Sequence, residues 1–337
     1  MRKGKPIVRK RARKGSAKNI EMTLQEAYDF FVLLKKTKGV RARTQEDYKT
    51  QFEFLTEWLA DEHSEIELVS EINDDILREY IVYLSQEHVN QRTGEEGLSP
   101  YTVNIRIRFL KAFFNTLFSE EKIMDNPAEN LSLMLVDEDS FDPLDDHEIV
   151  ALLDAPDEDY YPQFRDKVAM LLMLDTGMRI GEEFALEIEE IDIKGRVINL
   201  PASKSKNRKA RVIPISAMVA KMLLELISEN KAHFDETHVF LSNSGTPYQP
   251  NSFRRRLLKY KKEAGITKRV SPHSLRHQFC RDYILNGGDV FTLQRIVGHA
   301  DIQTTRKYIQ MTGVDIKEQH ALYSPVARLR KTKRPRN

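Results

Sequence analysis

The feature that most constrains this fold is a helical spacing of apolar residues along most of the chain. In residues 23–130, apolar side chains recur three and four positions apart, and the same spacing returns in most segments after residue 144. Only residues 191–215 contain short alternating runs rich in isoleucine and valine, which is the pattern of β-strands. The sequence therefore predicts a mainly α fold with one small antiparallel β-sheet, an α+β architecture.

Four helices are expected in the first part of the chain. Thr23 and Glu26 have the spacing of a capping box at the start of the first helix, and Thr44 precedes the second. The third helix is predicted over residues 76–85, and the fourth over residues 101–119, directly after Ser99 and Pro100. The fourth helix carries three cations, Arg106, Arg108 and Lys111. Two interpretations are open for them: they contact nucleic acid, or they lie on an ordinary solvated face.

A second globular part is expected after residues 131–143, an acidic, loop-like segment that is predicted to be a linker. Because 337 residues exceed the usual size of one hydrophobic core, two domains are expected. In the second domain, strands are predicted over residues 191–193, 196–200 and 211–215, and helices over residues 145–153, 163–174, 217–230 and 251–264 and around Arg276, Leu293 and Tyr308.

The composition excludes some classes of protein. One cysteine, Cys280, cannot form an intramolecular disulfide and fits a reducing compartment. No run of about eighteen apolar residues occurs, and the basic N-terminus is not followed by an apolar segment, so neither a membrane span nor a signal peptide is predicted. We therefore expect a soluble, cytoplasmic protein without a membrane partner.

The net charge of only +2 conceals two strongly basic ends. Residues 2–18 and 328–336 carry arginines and lysines without any carboxylate. Such runs cannot form a core, so each end is either a solvated tail or an arm that contacts nucleic acid, where each neutralised phosphate releases counterions.

Residues 271–311 contain the residue types of a phosphate site with its own nucleophile. His273 and Arg276 are three positions apart, and His299 and Tyr308 follow in the same stretch. Arginine offers a planar fork of donors that matches phosphate oxygens, and imidazole adds directed hydrogen bonds. A tyrosine hydroxyl can form a covalent phosphate ester.

This stretch resembles the tyrosine recombinases, also called the phage integrase family. Their His-x-x-Arg signature is matched by His273-Ser274-Leu275-Arg276, followed by a second histidine, His277, and their Leu-Gly-His box by Val297-Gly298-His299 with a conservative change at the first position. Tyr308 stands at the spacing that the family uses for its nucleophile. Residues 176–182, which contain Arg179, resemble the family's first box.

The resemblance implies a role for each of these residues. Arg179 and Arg276 would stabilise the non-bridging phosphate oxygens, His273 and His299 would hydrogen-bond the phosphate and assist proton movement, and Tyr308 would be the nucleophile. A carboxylate supports the first arginine in the family, and Glu182 matches it, with Glu183 as the alternative bearer. A lysine on the hairpin between the second and third strands protonates the leaving 5′-oxygen. Lys206 matches this position, and Lys204 presents the same chemistry two residues earlier.

The expected enzyme is a site-specific DNA recombinase, a tyrosine-type DNA strand transferase. It would cut and rejoin double-stranded DNA at specific sites through a 3′-phosphotyrosyl intermediate, without cofactor or metal. Four protomers assemble on two duplexes in this family, and accessory DNA-bending or directionality proteins are possible partners. The domains implied are a basic arm (1–21), a helical core-binding domain (22–130), a linker (131–143), a catalytic domain (144–312) and a tail for protomer contact (313–337).

Several alternatives stay open. Within the family, integration, excision or transposition of a mobile element, which the long basic arm and the tail favour, competes with Xer-type resolution of chromosome or plasmid dimers. A type IB topoisomerase uses similar residues, and a DNA-binding regulator with a decayed site would bind without cutting. Whether Tyr308 acts in cis or in trans is also open. His273 and His277 have a metal-binding spacing with Cys280 nearby, but they lack the glutamate of zinc hydrolases, and an arginine lies between them.

Overall fold

The structure, a computed structural model, describes residues 21–90, 94–136 and 141–299, together with Thr305, His320 and Val326. The chain divides into two compact units, Met1–Asp139 and Ser140–Asn337, which are described separately. Both are mainly helical, and the second contains a small antiparallel sheet, so the predicted α+β class is confirmed. Over the described residues, we find no helix that combines the length and the apolar character needed to cross a membrane.

In its described residues, the first unit contains four α-helices, and local capping marks the start of the first and the last. Thr23 accepts a hydrogen bond from the backbone of Glu26, whose carboxylate caps Thr23 in return, and Ser99 caps the last helix in front of Pro100. The third α-helix passes directly into a π-helical turn, Tyr83–Glu87. The α-helices are α1 (Leu24–Thr37), α2 (Ala42–Glu62), α3 (Asp74–Val82) and α4 (Pro100–Ser119).

The core of the first unit is aromatic, and α4 contributes most to it. Phe113 is completely buried, and its ring meets those of Phe31, Phe109 and Phe114 at centroid distances of 5.0 to 5.8 Å. Phe31 and Phe114 meet this ring edge-on and Phe109 is stacked against it, and aromatic rings that bury large apolar areas favour both arrangements. α4 is therefore the central helix of this unit.

The cations of α4 have different roles. Arg106 is buried, with its guanidinium 4.2 Å from the centroid of the Phe54 ring. The Lys111 ammonium donates to three backbone carbonyls that follow the helix, those of Ala128, Glu129 and Leu131. Neither interpretation of the sequence therefore holds for Arg106 or Lys111, which stabilise the unit internally. Of the three, Arg108 is the one that is exposed.

The second unit surrounds the buried helix α6. The helix α6 ends at Gly177, which has the left-handed conformation (φ 60°) typical of a C-terminal cap. It packs mainly against α8 and α10. The elements in order are α5 (Asp146–Asp154), α6 (Tyr161–Thr176), α7 (Ile180–Glu183), β1 (Ile191–Asp192), β2 (Val197–Leu200), β3 (Arg211–Pro214), α8 (Ala217–His233), α9 (Pro250–Glu263), α10 (Pro272–Leu285) and α11 (Val290–Val297).

The three strands form one antiparallel sheet in the order β1-β2-β3, as the alternating sequence predicts. The register pairs Ile198 with Ile191 on one side and with Ile213 on the other, and all three side chains are buried. β3 also packs against α11. The short helix α7 was not predicted, and the predicted helix around Tyr308 lies outside the described residues.

Candidate active site

The C-terminal ends of α6 and α11 meet around the guanidinium of Arg276. This side chain comes from α10, is only 4% exposed, and donates to the carbonyls of Gly177 and Val297. Both helix ends therefore have carbonyls satisfied by one arginine. A Cβ atom at Gly177 would lie 2.4 Å from the Phe279 ring, so close packing as well as its positive φ requires glycine there.

The carbonyl of Gly298 accepts hydrogen bonds from two other parts of the site. It accepts hydrogen bonds from Nη2 of Arg179, at 3.2 Å, and from the side-chain amide of Asn207, at 2.7 Å. Gly298 has a φ of 65°, and a Cβ atom there would lie 3.1 Å from the guanidinium of Arg211. Arg179 and the β2–β3 hairpin are thus both hydrogen-bonded to the backbone carbonyl that directly precedes His299.

Glu182 is the carboxylate at the centre of this arrangement. Its oxygens lie 3.1 Å from Nη1 of Arg179 and 2.6 Å from Nη2 of Arg211, and one of them accepts the backbone N–H of Lys206 at 3.2 Å. Burial by itself would raise the pKa of Glu182, but the hydrogen bonds and charge of Arg211, with help from Arg179, outweigh it and lower the pKa. Glu182 therefore stays ionised and orients two arginines.

Glu183, the alternative carboxylate, is placed differently. It is completely buried, and neither carboxyl oxygen has a hydrogen-bond partner in the described part of the chain. Burial raises the pKa of Glu183 well above its ordinary value. Of the two adjacent glutamates, only Glu182 contacts the arginines.

The two candidate histidines lie in a positively charged environment. His299 is half-buried, its Nδ1 lies 2.9 Å from the hydroxyl of Thr305, and burial followed by the charges of Arg276 and Arg179 lowers its pKa to about 3. Partial loss of hydration, followed by the charge of Arg276, also lowers the pKa of His273. Both rings are therefore neutral at pH 7, when each can donate one hydrogen bond and accept another.

The positive charges of Arg276 and Arg179 disfavour protonation of the nearby histidines, and for the same electrostatic reason they favour a bound anion. Arg179 keeps 25% of its side chain exposed, and Arg276 keeps its guanidinium fixed by two carbonyls. Planar guanidinium groups held in this way match the oxygens of a phosphate diester. The arrangement can bind a phosphodiester and stabilise charge that develops on its oxygens.

The two candidate lysines of the hairpin have different environments. Nζ of Lys204 is engaged by Glu187 and Glu190 at 2.7 and 2.8 Å, whereas Lys206 is exposed. Burial lowers the pKa of Lys204, but the two carboxylates outweigh it and raise the pKa. In the described part of the chain, the Lys206 ammonium forms no hydrogen bond or ion pair, so it is available to a ligand.

His273 and His277 form a close pair on α10, with their Nε2 atoms 2.7 Å apart, and Cys280 is buried one turn further on. Among the described residues, no three histidine, cysteine or carboxylate side chains come together as ligands for a metal ion. Tyr308, the candidate nucleophile, lies outside the described residues, so its position relative to the arginines is not part of this geometry.

The sequence did not identify Arg211 or Asn207 as site residues. Arg211 looks like the polar first residue of a strand, although its side chain is only 8% exposed and donates to Glu182 and to the carbonyl of Ile296. Asn207 looks like an ordinary turn residue. Their partners are distant in sequence, and no local pattern marks such contacts.

Models of two protein families match the chain. The model described as the phage integrase family matches residues 143–313, and the model described as the phage integrase SAM-like domain matches residues 23–133. Together they cover both units and include the arginines, histidines and lysine discussed above.

Relatives and solved structures agree with these matches. The chain is 31% identical over 237 residues to the tyrosine recombinase XerC of Thermodesulfovibrio yellowstonii, covering 68% of this chain and 76% of that one. It is 27% identical to XerC of Natranaerobius thermophilus, over 90% and 99% of the two chains. The fold is similar to that of the Tn1549 transposon integrase in complex with transposon right end DNA (TM-score 0.67, 22% identity, 90% of this chain and 100% of that one). It is also similar to a lambda integrase dimer bound to a core site (TM-score 0.67, 16% identity, 88% and 80%).

Proposed function

The chain belongs to the phage integrase family of tyrosine recombinases, enzymes that transfer DNA strands, and from this premise we propose that it is a site-specific recombinase. It cuts double-stranded DNA at specific sites and rejoins it through a 3′-phosphotyrosyl intermediate. The observation that carries the proposal is the Glu182 carboxylate, which contacts Arg179 and Arg211 and also binds the backbone of Lys206. Glu182 therefore connects Arg179, a proposed phosphate-binding residue, to the hairpin that carries Lys206, the proposed general acid.

The cleavage step is a substitution at phosphorus. The Tyr308 oxygen forms a bond to phosphorus and gives its proton to the neutral imidazole of His273, while the bond between phosphorus and the 5′-oxygen breaks. The leaving oxygen takes a proton from the Lys206 ammonium, which produces a free 5′-hydroxyl. A proton returns from the imidazolium to the lysine through solvent. The phosphate remains a diester with one negative charge, so the 5′-hydroxyl of a partner strand can reverse the step.

The remaining residues act on the charge of the phosphate. Arg179 and Arg276 stabilise the non-bridging oxygens, and His299 donates a hydrogen bond to one of them. The low pKa of His299 supports a role as a neutral donor. Glu182 holds Arg179 and is the supporting carboxylate. No step requires a metal ion or an organic cofactor, because side chains supply the cations, the acid and the base.

The proposed assembly follows the domain boundaries. Residues 22–130 bind the duplex, residues 144–312 bind it and carry the catalytic groups, the linker at residues 131–143 joins the two domains, and the basic arm (residues 1–21) adds phosphate contacts. Four protomers bring two duplexes together, with the tail (residues 313–337) docked on a neighbouring protomer. Accessory DNA-bending or directionality proteins would select between integration and excision.

Two biological roles are candidates. The basic arm and the tail favour integration, excision or transposition of a mobile element. The similarity to XerC proteins over 90% of this chain favours Xer-type resolution of chromosome or plasmid dimers. Sequencing the DNA on both sides of the gene distinguishes them, because element ends next to the gene support the first role, and their absence together with recombination of a chromosomal site supports the second.

The experiment that tests the enzymatic proposal uses a nicked suicide substrate, on which the cleaved strand cannot be religated. Tyr308→Phe removes only the hydroxyl, so we expect retained binding to the specific site and complete loss of the covalent protein–DNA complex. A covalent complex formed by this variant contradicts the assignment of the nucleophile. A wild-type protein that binds but never cleaves supports a regulator, and one that relaxes supercoils without joining two duplexes supports a type IB topoisomerase.

A further inference from the structure

Lys204 connects the hairpin to a different part of the second unit. Its ammonium lies 2.7 Å from Oε1 of Glu187 and 2.8 Å from Oε1 of Glu190. Glu187 directly precedes the short 3-10 helix Ile188–Glu190, and Glu190 is its last residue, just before β1. The lysine side chain is only 19% exposed and that of Glu190 only 11%, so this ion pair is screened less by solvent than a surface pair.

The residues on either side of Lys206 are fixed as well. The backbone N–H groups of Lys204 and Ser205 donate to the carbonyl of Pro201, and Ser205 is almost completely buried. The backbone N–H of Lys206 donates to Glu182, and the side chain of Asn207 donates to the carbonyl of Gly298. The peptide that carries Lys206 is thus held from both directions, while its side chain points to no protein partner in the described part of the chain.

We propose that Lys204 is a positioning residue, which clamps the hairpin to Glu187 and Glu190 so that the Lys206 ammonium reaches the leaving 5′-oxygen. This inference rests on the proposed function, in which Lys206 is the general acid. It assigns different tasks to two lysines that present the same chemistry two residues apart. Lys204 keeps its proton and its two carboxylate partners, and Lys206 transfers its proton when the bond between phosphorus and the 5′-oxygen breaks.

A clamp that acts through Lys206 affects only the protonation of the leaving group. Replacing the 5′-oxygen of the cleaved bond by sulfur gives a leaving thiolate, which departs without being protonated because a thiol is far more acidic than an alcohol. A variant that lacks only proton delivery therefore regains cleavage on this substrate. A variant that lost folding, DNA binding or the nucleophile does not.

The experiment measures the rate of covalent complex formation on two suicide substrates that differ only in this one atom. On ordinary DNA, we expect Lys206→Met to lose on the order of 10² to 10⁴-fold, the usual contribution of a general acid. We expect Lys204→Met to lose on the order of 10 to 100-fold, because a misplaced catalytic group costs about this much. On the sulfur substrate, both variants should cleave at rates close to wild type.

Three further variants test the clamp itself. Glu187→Gln combined with Glu190→Gln should reproduce the loss and the sulfur rescue of Lys204→Met, since it removes the same ion pair from the other side. Lys204→Arg keeps a cation between the two carboxylates and should retain most of the activity on ordinary DNA. Lys194→Met removes an exposed lysine from the neighbouring β1–β2 turn and should change neither rate.

The outcomes separate the clamp from the function on which it rests. If Lys204→Met loses the same factor on both substrates, Lys204 serves folding or DNA binding and the clamp is wrong, while the function stands. If Lys206→Met cleaves ordinary DNA at the wild-type rate, and only Lys204→Met is slow on ordinary DNA and restored on the sulfur substrate, Lys204 is itself the general acid. Both lysine assignments are then wrong. If the wild-type protein forms no covalent complex on either substrate, the proposed function is wrong, and the clamp, which rests on it, is wrong as well.

Discussion

The Glu182 carboxylate lies 2.6 Å from Nη2 of Arg211, and the two side chains are only 3% and 8% exposed. Such a buried pair makes a modest net contribution compared with apolar residues of the same shape, but removal of one partner leaves a buried charge without compensation. In this site the pair does more than stabilise, because the same carboxylate also contacts Arg179.

The first prediction concerns this pair. We expect Arg211→Met to lower the free energy of unfolding of the second unit by about 3 kcal/mol, because the Glu182 charge stays buried. The double variant with Glu182→Gln should recover much of this loss. Calorimetry is the suitable measurement, since the single tryptophan, Trp58, belongs to the first unit and does not report on the second. A double variant that is less stable than Arg211→Met contradicts this explanation.

The short boxes that carry the candidate site residues are visible in the sequence, but the contacts between their side chains are not. His273, Arg276 and His299 belong to short boxes with fixed spacing. Glu182 and Glu183 are adjacent on a helix of four residues, which is too short for an apolar period to show which of them faces the arginines. The structure distinguishes them by burial and by partners that come from distant parts of the chain.

The second prediction concerns the pH dependence of stability that arises from Glu183. The pKa of Glu183 is raised in the folded state, whereas in the unfolded state it is about 4.3. At pH values between these two pKa values, the folded protein binds more protons than the unfolded one. Stability from this group is therefore greatest at low pH and falls as pH rises through that window. Compared with Glu183→Gln, the wild type should lose up to about 1.4 kcal/mol per pH unit there.

The measurement is a series of urea unfolding curves followed by circular dichroism from pH 4.5 to 8. The matched control is Glu189→Gln, which changes an exposed glutamate six positions away. The control curve should follow the wild type at every pH. A Glu183→Gln variant with the wild-type slope means that Glu183 is ionised in the folded protein, which contradicts the prediction.

The third prediction separates Arg106 from Arg108 on α4. Arg106→Ala removes a buried side chain and its contact with Phe54, and should destabilise the first unit by about 2 kcal/mol. Arg108→Ala should change stability by less than about 0.5 kcal/mol, because that residue is exposed. Trp58 fluorescence during urea unfolding measures both. Equal effects of the two substitutions contradict the internal role of Arg106.

The fold was predictable wherever local signals decide it. The capping box at Thr23 and the alternating strands β2 and β3 appear in the structure close to their predicted limits. The burial of Arg106 was not predictable, because an arginine beside apolar neighbours also fits a solvated helix edge. Its position depends on Phe54, which belongs to another helix. Helical period shows which residues share a face, but it does not show which polar side chain another element will cover.

The fourth prediction concerns metal ions. Because arginines and a lysine supply the positive charge in the proposed mechanism, covalent complex formation should persist in excess EDTA. Elemental analysis of the purified protein should find no stoichiometric zinc at His273 and His277, the pair whose Nε2 atoms are 2.7 Å apart. Zinc in a one-to-one ratio, together with activity that chelation abolishes and zinc restores, would revive the interpretation of these histidines as metal ligands.

The fifth prediction concerns residues 1–18 of the basic arm, which lie outside those that the structure describes. Residues 2–18 carry lysines and arginines without a carboxylate, so contact with DNA would release counterions. The logarithm of the binding constant falls with the logarithm of salt concentration by about 0.9 for each phosphate neutralised. Deletion of residues 1–18 should therefore flatten this dependence, measured by fluorescence anisotropy between 50 and 200 mM salt.

The same titration distinguishes an arm from a solvated tail. Since phosphate contacts carry no direct sequence information, the deletion should weaken binding to the recombination site and to unrelated DNA by similar factors. The ratio of the two affinities should then stay near its full-length value. An unchanged slope means that the arm does not contact DNA. A flattened slope with a reduced affinity ratio means that it also reads the base sequence, which contradicts a purely electrostatic role.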